Sequence, residues 1–407
     1  MVARSWNKFL VSTEQLSEVT TEHQAIPFYR DERVLRWAAQ IVSAVLLIGL
    51  LVWIIVNFIQ AADARGMALN FKFLNDPAEF PISDPVLPYD PSRTFGYAFL
   101  VGIIKTLLVS AIGIVFATIL GTIIGLARMS SNWLISHIAL AYIEFHRNIP
   151  LLVLLFLWYF PVFAQFPPVE ESIHAGPVII NSRGIYSTWP RLGSGGVVWL
   201  ISIAVGIILA ITAWKVLEKR QVDTGKSTYY ALISLAIVII VPTIGWFAAG
   251  SSPLYLDVPV LEGFNYSGGL RMTPEFAALL IGLTMYTAAF IAEVVRAGIQ
   301  AVSKGQTEAA RAVGLSFFQV IGLIILPQAL RVIIPPLISQ YLNLIKNSSL
   351  ALFIGYQELF SVGKIAINQA GRAVPVFAMV MFTYLFMSLI VSWILNWYNR
   401  RIQFIEK

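Results

Sequence analysis

Residues 304–327 read KGQTEAARAVGLSFFQVIGLIILP and lie between two long apolar segments. The stretch predicts a short helix capped by Ser303, because a serine side chain can accept a hydrogen bond from the free N–H groups of a first helical turn. Gly314 can adopt the left-handed backbone that ends such a helix. Ser316 can cap a second helix, which Pro327 would end or kink. The sequence therefore predicts a protruding helical hairpin.

This hairpin is expected to expose four apolar residues, namely Ala309, Ala310, Ala312 and Leu315. Exposed apolar surface is costly unless a partner covers it, so the pattern predicts docking into a groove on another protein. An ordinary amphipathic connector is the alternative, and Glu308-Ala309-Ala310 alone would favour it. The docking interpretation depends on Gly314 and Leu326-Pro327 standing at their present spacing.

The composition is that of a membrane protein. Of the 407 residues, 57% are hydrophobic and 12% are charged, and the mean hydropathy is +0.75, far from the balance of a soluble domain. A helix crosses a bilayer with about 20 mostly apolar residues. The sequence predicts an all-α integral membrane protein with about eight spans, at residues 37–59, 96–127, 133–164, 197–214, 229–249, 276–300, 332–355 and 373–398.

The distribution of basic residues predicts the orientation. With eight spans, the segments on the side of both termini carry about twice as many Lys and Arg residues as those on the other side. Basic residues favour the cytoplasmic side, so both termini are expected there. The net charge of +6 is then expected to meet anionic membrane lipid, and not nucleic acid. The chain has no cysteine, which excludes disulfides and thiol catalysis.

The chain divides into segments of different character. They are a cytoplasmic N-terminal segment 1–36, an anchor span 37–59, a Pro-rich periplasmic linker 60–95, a core part 96–164, an insertion with two spans 165–275, a second core part 276–398 and a cytoplasmic tail 399–407. The flanks of the insertion, 165–196 and 250–275, are rich in Pro, Gly and Ser and predict irregular loops. The insertion carries no chemical motif and is expected to be scaffold or a subunit contact.

Small residues recur at four-residue intervals in the second span, at Ala117, Gly121 and Gly125. Such a ridge lets two helix backbones approach closely in lipid, so it predicts a packing face. The alternative is that glycine is simply common in membrane helices.

Three polar groups interrupt the predicted spans. They are Glu144, Arg147 and Asn148; Glu293 and Arg296; and Lys346, Asn347, Ser348 and Ser349. The first group precedes Pro150, which kinks or breaks a helix. Ionisable groups inside a membrane face protein or water and are candidates for a substrate path. The alternative is structural: Glu144 with Arg147, and Glu293 with Arg296, would only neutralise each other.

These residues together carry a resemblance to a known family. The matching residues are Tyr142-Ile143-Glu144, Arg147, Pro150-Leu151-Leu152, Glu293, Arg296, Gly305-Gln306, Glu308-Ala309-Ala310 and Lys346-Asn347-Ser348-Ser349-Leu350. Over about 96–164 and 276–398 the chain resembles the histidine/glutamine-type polar-amino-acid permeases of bacterial ABC importers, whose EAA loop the hairpin resembles. The length of the chain resembles that of the long subunits of general L-amino-acid importers of the Aap and Bzt type. So does the run Arg147-Asn148-Ile149-Pro150, because shorter members commonly have Arg-Gly-Thr-Pro at this place.

The resemblance implies a type I importer core in the bacterial inner membrane, which transports L-amino acids. It implies a second, different permease subunit, two ATPase subunits that bind ATP and Mg, and a periplasmic amino-acid-binding protein. This chain itself would then bind no cofactor and catalyse no reaction. The resemblance assigns ATPase docking to Gly305, Glu308, Ala309, Ala310, Gly314, Leu326 and Pro327. A substrate path is expected at Glu144, Arg147, Asn148, Glu293, Lys346, Asn347, Ser348 and Ser349.

Other functional classes find little support in the residues. Gly225-Lys226-Ser227 imitates the end of a phosphate-binding loop, but Arg220 stands where the first glycine should be. The four histidines lack metal-ligand spacing, and no nucleophile or acid–base pair marks an enzyme. A secondary, ion-coupled transporter for a charged or polar small solute stays the alternative. Such a protein needs no docking hairpin and commonly shows repeated halves, which are not evident in this sequence.

Overall fold

A computed structural model describes residues 32–64 and 70–402, and the chain divides into two units, 1–69 and 70–407. In the first unit, α1 (Glu32–Ala64) is one continuous apolar helix. It is longer at both ends than the predicted anchor span 37–59. Most of the predicted N-terminal segment 1–36 lies outside the described residues, as does the end of the predicted tail 399–407.

The second unit is mostly helical, which confirms the predicted fold class. Its α-helices are α2 (Phe95–Arg128), α3 (Trp133–Asn148), α4 (Leu151–Tyr159), α5 (Gly196–Thr224), α6 (Tyr230–Ala248), α7 (Pro274–Gln300), α8 (Lys304–Ala312), α9 (Phe317–Gln319), α10 (Leu326–Asn347), α11 (Leu359–Ala370) and α12 (Ala373–Ile402). Short 3₁₀-helices cover Lys72–Asn75, Phe163–Gln165, Val169–Glu171 and Ser348–Ile354, and a π-helix covers Val320–Ile325.

A bent pair of helices is the candidate for one crossing beyond the straight ones. In the described residues, seven helices are long and apolar enough to cross a membrane, and α3 with α4 forms a further pair bent by 105°. Ile149 is extended, as expected of a residue before proline, and Pro150 occupies the N-cap position of α4. Arg128 donates to Ser136 at the start of the pair, and Tyr159 donates to Glu275 at its end. The pair thus runs from the end of α2 to the start of α7; counted as one span, it brings the candidates among the described residues to the eight that the sequence predicts.

The second unit has two ends. The loop end consists of residues 70–94, 160–195, 249–273 and 355–358, which contact one another: Arg271 pairs with Asp84 at 2.9 Å, and Ser83 N–H donates to Gln357. The hairpin end consists of residues 129–132 and 301–316. Helices α2 and α7 connect the two ends through the centre of the unit.

Helices α2 and α7 pack closely along the predicted ridge of small residues, which confirms it as a packing face. Ala117, Gly121 and Gly125 are all buried. A Cβ added at Gly121 would lie 2.7 Å from Ile291 and 2.8 Å from the carbonyl oxygen of Ala288. No larger residue fits here unless α7 moves.

The flanks of the insertion fold into small antiparallel sheets, so the prediction of irregular loops is wrong. The strands are β1 (Ile173–Ala175), β2 (Val178–Asn181), β3 (Gly184–Ser187), β4 (Trp189–Leu192), β5 (Leu254–Asp257), β6 (Val260–Glu262), β7 (Asn265–Ser267) and β8 (Leu270–Met272). They form sheets of order β1-β2-β3-β8, β4-β5 and β6-β7. Ile185 on one flank stands opposite Met272 on the other. Two of the five pairings, β3-β8 and β4-β5, join the flanks across two intervening helices and leave little trace in local composition.

Residues 70–94 are folded, so the prediction of an extended linker is wrong for them. Phe73, Ala78, Phe80 and Ile82 are buried in one core cluster with residues of α2, α11 and α12. The five prolines of this segment do prevent a helix. They also lack N–H groups, so a non-helical segment that contains them buries fewer unpaired donors.

The ridge can be tested with two identical substitutions in α2. Gly121→Ala should lower the stability of the purified protein by about 1–3 kcal/mol, because the added methyl group overpacks the contact with α7. Gly113→Ala is the control, since its Cβ would lie at an ordinary 3.5 Å from Leu344; it should be neutral or gain up to about 1 kcal/mol of helix propensity. Thermal unfolding in detergent measures both, and equal melting temperatures would contradict the close packing.

Candidate functional site

The hairpin end has the local geometry that its sequence predicts. Helix α8 ends before Gly314, whose φ of +84° is left-handed. Ser316 and Gln319 form a reciprocal capping box at the start of the next helix, where the Ser316 N–H donates to Gln319 Oε1 at 2.8 Å. Ser303 occupies the N-cap position of α8 but makes no capping hydrogen bond through its side chain. Two local signals therefore fix the turn.

The exposed side of the hairpin differs in part from the prediction. Ala309 and Ala312 are exposed, but Ala310 is buried and Leu315 is half-buried, because α8 packs against the π-helix. The prediction that Ala310 and Leu315 are exposed is therefore wrong. Larger apolar side chains lie open instead: Val313 is 77%, Phe317 62% and Phe318 83% exposed. We call the exposed residues Glu308, Ala309, Val313, Phe317 and Phe318 the docking face.

Pro327 does not end the second helix, so this part of the prediction is wrong. The six residues Val320–Ile325, which precede Leu326 and Pro327, form a π-helix that continues directly into α10. A proline has no N–H and its ring clashes with the carbonyl group four residues earlier. A wider π-turn moves that carbonyl group aside. Leu326 is exposed at the join and Pro327 is half-buried.

Glu144 and Arg147 do not pair with each other, so the structural alternative is wrong for them. Glu144 Oε2 accepts a hydrogen bond at 3.0 Å from Asn148, one turn later on α3. The Arg147 guanidinium lies 5.6 Å from the ring centre of Phe290 on α7. In the described part of the chain, no ion pair within 4.0 Å joins Glu144 and Arg147. Both side chains are exposed, and both lie just before the α3–α4 bend.

Glu293 and Arg296 do form the pair that their spacing allows. Arg296 donates to Glu293 Oε2 at 2.7 Å and to Gln300 at 2.7 Å. Glu293 also lies in the field of Arg147 and Arg128. The structure thus brings Glu293 and Arg147, from two separate predicted spans, into one polar region beside the bend.

The third polar group lies elsewhere. Lys346 and Ser349 line an apolar groove of about 840 Å³ between α10 and α12. The buried Ser348 hydroxyl donates to the carbonyl oxygen of Ile345 at 2.7 Å, and Ser349 donates to that of Lys346. Asn347 is half-buried at the end of α10. The predicted path residues therefore fall into two places, and within the described residues no hydrogen bond or ion pair joins them.

A buried carboxylate, which the sequence pattern does not mark as a site, connects three helices. Glu358 has no exposed surface. It accepts hydrogen bonds from Thr106 on α2 at 3.1 Å, from Tyr384 on α12 at 2.6 Å and from the Ser361 N–H of α11 at 3.0 Å. Every partner is a donor, so the site is built for an acceptor. Glu358 thereby fixes α11 between α2 and α12.

Comparison with known proteins gives a consistent picture. Residues 113–404 match the family described as "Binding-protein-dependent transport system inner membrane component". The chain is 42% identical over 381 residues to the "Putative amino-acid ABC transporter permease protein YhdX" of Escherichia coli strain K12, covering 93% of this chain and 97% of that protein.

Two further relatives match at similar length. The chain is 39% identical to the "General L-amino acid transport system permease protein AapQ" of Rhizobium johnstonii, over 90% of this chain and 92% of that protein. It is also 39% identical to the "Glutamate/glutamine/aspartate/asparagine transport system permease protein BztB" of Rhodobacter capsulatus, over 93% and 96% respectively.

Removal of the buried carboxylate should destabilise the protein. Glu358→Ala leaves the donors of Thr106, Tyr384 and Ser361 without their acceptor, and we expect a loss of about 3 kcal/mol in thermal unfolding experiments. Glu358→Gln keeps an acceptor oxygen and should retain most of the stability. Glu144→Ala, at an exposed site, serves as the control. A Glu358→Ala protein as stable as the Glu144→Ala protein would show that the network contributes little.

Proposed function

Because the chain belongs to the family of binding-protein-dependent transport system inner membrane components, we propose that it forms the translocation path of an ABC importer for L-amino acids and couples this path to a separate ATPase through residues 304–327. The docking face carries the coupling part of the proposal, since Val313, Phe317 and Phe318 expose apolar surface at one end of a membrane protein. The names of the relatives support the substrate class.

Coupling needs a rigid connection from the docking face to the membrane helices. Helix α8 packs against the π-helix, and the π-helix continues without a break into α10. Helix α10 in turn packs against α7, α12 and α2. A partner that moves α8 therefore moves α10. In our proposal, closure of the ATPase pair upon ATP binding rocks α10 and α7 between inward-open and outward-open arrangements.

The proposed assembly contains several partners. They are a second, different permease subunit, two ATPase subunits that hold ATP and Mg, and a periplasmic binding protein that delivers the amino acid. The excess of Lys and Arg on one side supports cytoplasmic termini. With the docking face on that side, the loop end faces the periplasm.

The polar region beside the α3–α4 bend is the proposed substrate path. An amino-acid zwitterion carries a carboxylate and an ammonium group, and both need partners inside a membrane. Arg147 makes no ion pair in the described part of the chain and is available to a carboxylate. Glu144, which accepts a hydrogen bond from the neutral Asn148, is available to an ammonium group. The arrangement at a broken helix is one that transporters use for binding.

An ion-coupled transporter is the alternative function, and energy dependence separates the two. Uptake of labelled L-amino acids should require ATP and the co-purifying ATPase. Uptake that persists without the ATPase and follows an ion gradient would favour the alternative.

The docking face can be tested with two equally exposed phenylalanines. Phe318→Asp should abolish co-purification of the ATPase subunit, because it places a charge in an apolar contact. Phe264→Asp is the matched control, since Phe264 is also 83% exposed but lies between β6 and β7 at the loop end. Equal recovery of the ATPase with both variants would contradict the docking proposal.

The turn of the hairpin can be tested with two left-handed glycines. Gly314 (φ +84°) and Gly225 (φ +69°, in the α5–α6 turn) both have open space where a Cβ would lie, so valine strains each backbone by about 1–2 kcal/mol. Gly314→Val should reduce ATP-dependent uptake while the protein still inserts, and Gly225→Val should not. Uptake assays in membrane vesicles check this, and similar uptake rates for the two variants would contradict the proposed coupling through the hairpin.

A further inference from the structure

A polar cavity of about 220 Å³ lies at the loop end, where the core helices meet the flanks of the insertion. Its volume corresponds to about seven water molecules, which suits a small solute. Its polar walls include Lys105 from α2, Glu275 from α7, and Ser182, Arg183 and Arg271 from the insertion flanks. The site is therefore built jointly by the core and the insertion.

Lys105 is the most unusual group of this cavity. Its side chain stands inside an apolar helix and is 2% exposed. The ammonium group donates to the carbonyl oxygen of Ser83 and lies 4.6 Å from the ring centre of Tyr356. No carboxylate lies within 4.0 Å of it in the described residues. A buried cation without an ion-pair partner is costly, and inside a membrane protein such a group marks a functional site.

The two arginines of the cavity differ in their contacts. Arg271 pairs with Asp84 at 2.9 Å and donates to the carbonyl oxygen of Arg183 at 3.0 Å. Arg271 is thus neutralised, and it holds the backbone of Arg183 in place. The guanidinium of Arg183 makes no hydrogen bond or ion pair within the described ranges, and Arg183 is an exposed residue that lines the cavity.

Asp84 and Glu358 also act on Lys105, but Asp84 pairs with Arg271 and Glu358 accepts hydrogen bonds from neutral donors. Among the described residues that line the cavity, one carboxylate balances the charges only in part. Glu275 accepts a hydrogen bond from Tyr159 at 3.2 Å and pairs with no cation within 4.0 Å among the described residues. The cavity therefore presents two unpaired cations, Lys105 and Arg183, together with one unpaired carboxylate. A ligand that satisfies all three carries two negative groups and one positive group.

We propose that this cavity binds a dicarboxylic amino acid, such as L-glutamate or L-aspartate, at the entrance of the path. Lys105 and Arg183 pair with its two carboxylates, and Glu275 pairs with its ammonium group. The inference rests on the proposed import of amino acids and adds to it a site, a substrate class and a role for the insertion. A neutral amino acid leaves one cation of the cavity unpaired and binds more weakly.

The absence of native cysteine allows a direct binding experiment. Ser182→Cys places one thiol in the cavity and keeps both cations, and an impermeant maleimide applied to intact cells measures its accessibility. L-glutamate should slow this labelling, while L-glutamine, which has nearly the same shape but one carboxylate, should require about tenfold higher concentration for the same protection. Ser92→Cys, exposed at the same end but outside the cavity, should be labelled at a rate that neither amino acid changes.

A second substitution separates the site from a general effect of charge. Adding Arg183→Gln to Ser182→Cys should raise the glutamate concentration for half-protection about tenfold. Adding Arg93→Gln, which removes a loop-end cation that does not line the cavity, should leave it unchanged. Arg183 is exposed, so this variant is expected to fold even if Lys105→Gln does not.

The outcomes distinguish this inference from the proposed function. Equal protection by glutamate and glutamine, no protection by either, or protection only in the presence of a periplasmic binding protein would overturn the assigned site. ATP-dependent uptake of amino acids by the wild-type protein would then still support the import function. Wild-type membranes that take up no amino acid with ATP would instead overturn the import function itself.

Discussion

The burial of one carboxylate, Glu358, sets how segment 70–94 and helices α2, α11 and α12 pack at the loop end of the protein. A carboxyl group hidden from water is tolerated where hydrogen-bond donors surround it, and here the donors come from α2, α11 and α12. The preceding residue, Gln357, reaches back to Ser83 and Pro81, which places segment 70–94 against the core. The Ser83 carbonyl oxygen, placed in this way, receives the ammonium group of Lys105. The polar cavity thus depends on the buried carboxylate.

The features that short-range rules govern could be predicted from the sequence. A hydropathy profile found the spans, the small-residue ridge predicted the contact of α2 with α7, and Gly314 with Ser316 predicted the turn of the hairpin. The same short-range rules failed where a side chain has two possible partners nearby in the sequence. Glu144 can reach either Arg147 or Asn148 on the same helix face, and the position of Phe290 on α7 decides where Arg147 goes.

The features that depend on distant partners could not be predicted. Lys105 is one charge in a long apolar run, and its main partner is a backbone oxygen, which no side-chain pattern reveals. Strand β3 pairs with β8, and β4 with β5, across α5 and α6, so neither of these pairings can be read from one flank alone. Ala310 and Phe318 belong to the same hairpin, yet the packing of α8 buries the first and exposes the second. The sequence therefore identifies the segments that carry the candidate residues, and only the fold assigns the contacts of those residues.

The π-helix before Pro327 has a consequence for geometry. Each residue of an α-helix advances about 100° around the axis, whereas a π-turn accommodates one residue more per hydrogen-bonded ring. The wide turn at Val320–Ile325 therefore sets the rotational phase between the docking face and the side chains that α10 directs into the bundle. One residue more or fewer in this stretch would turn the docking face by roughly a quarter of a circle relative to the side chains of α10. The number of residues between the docking face and α10 therefore determines the direction in which the docking face points.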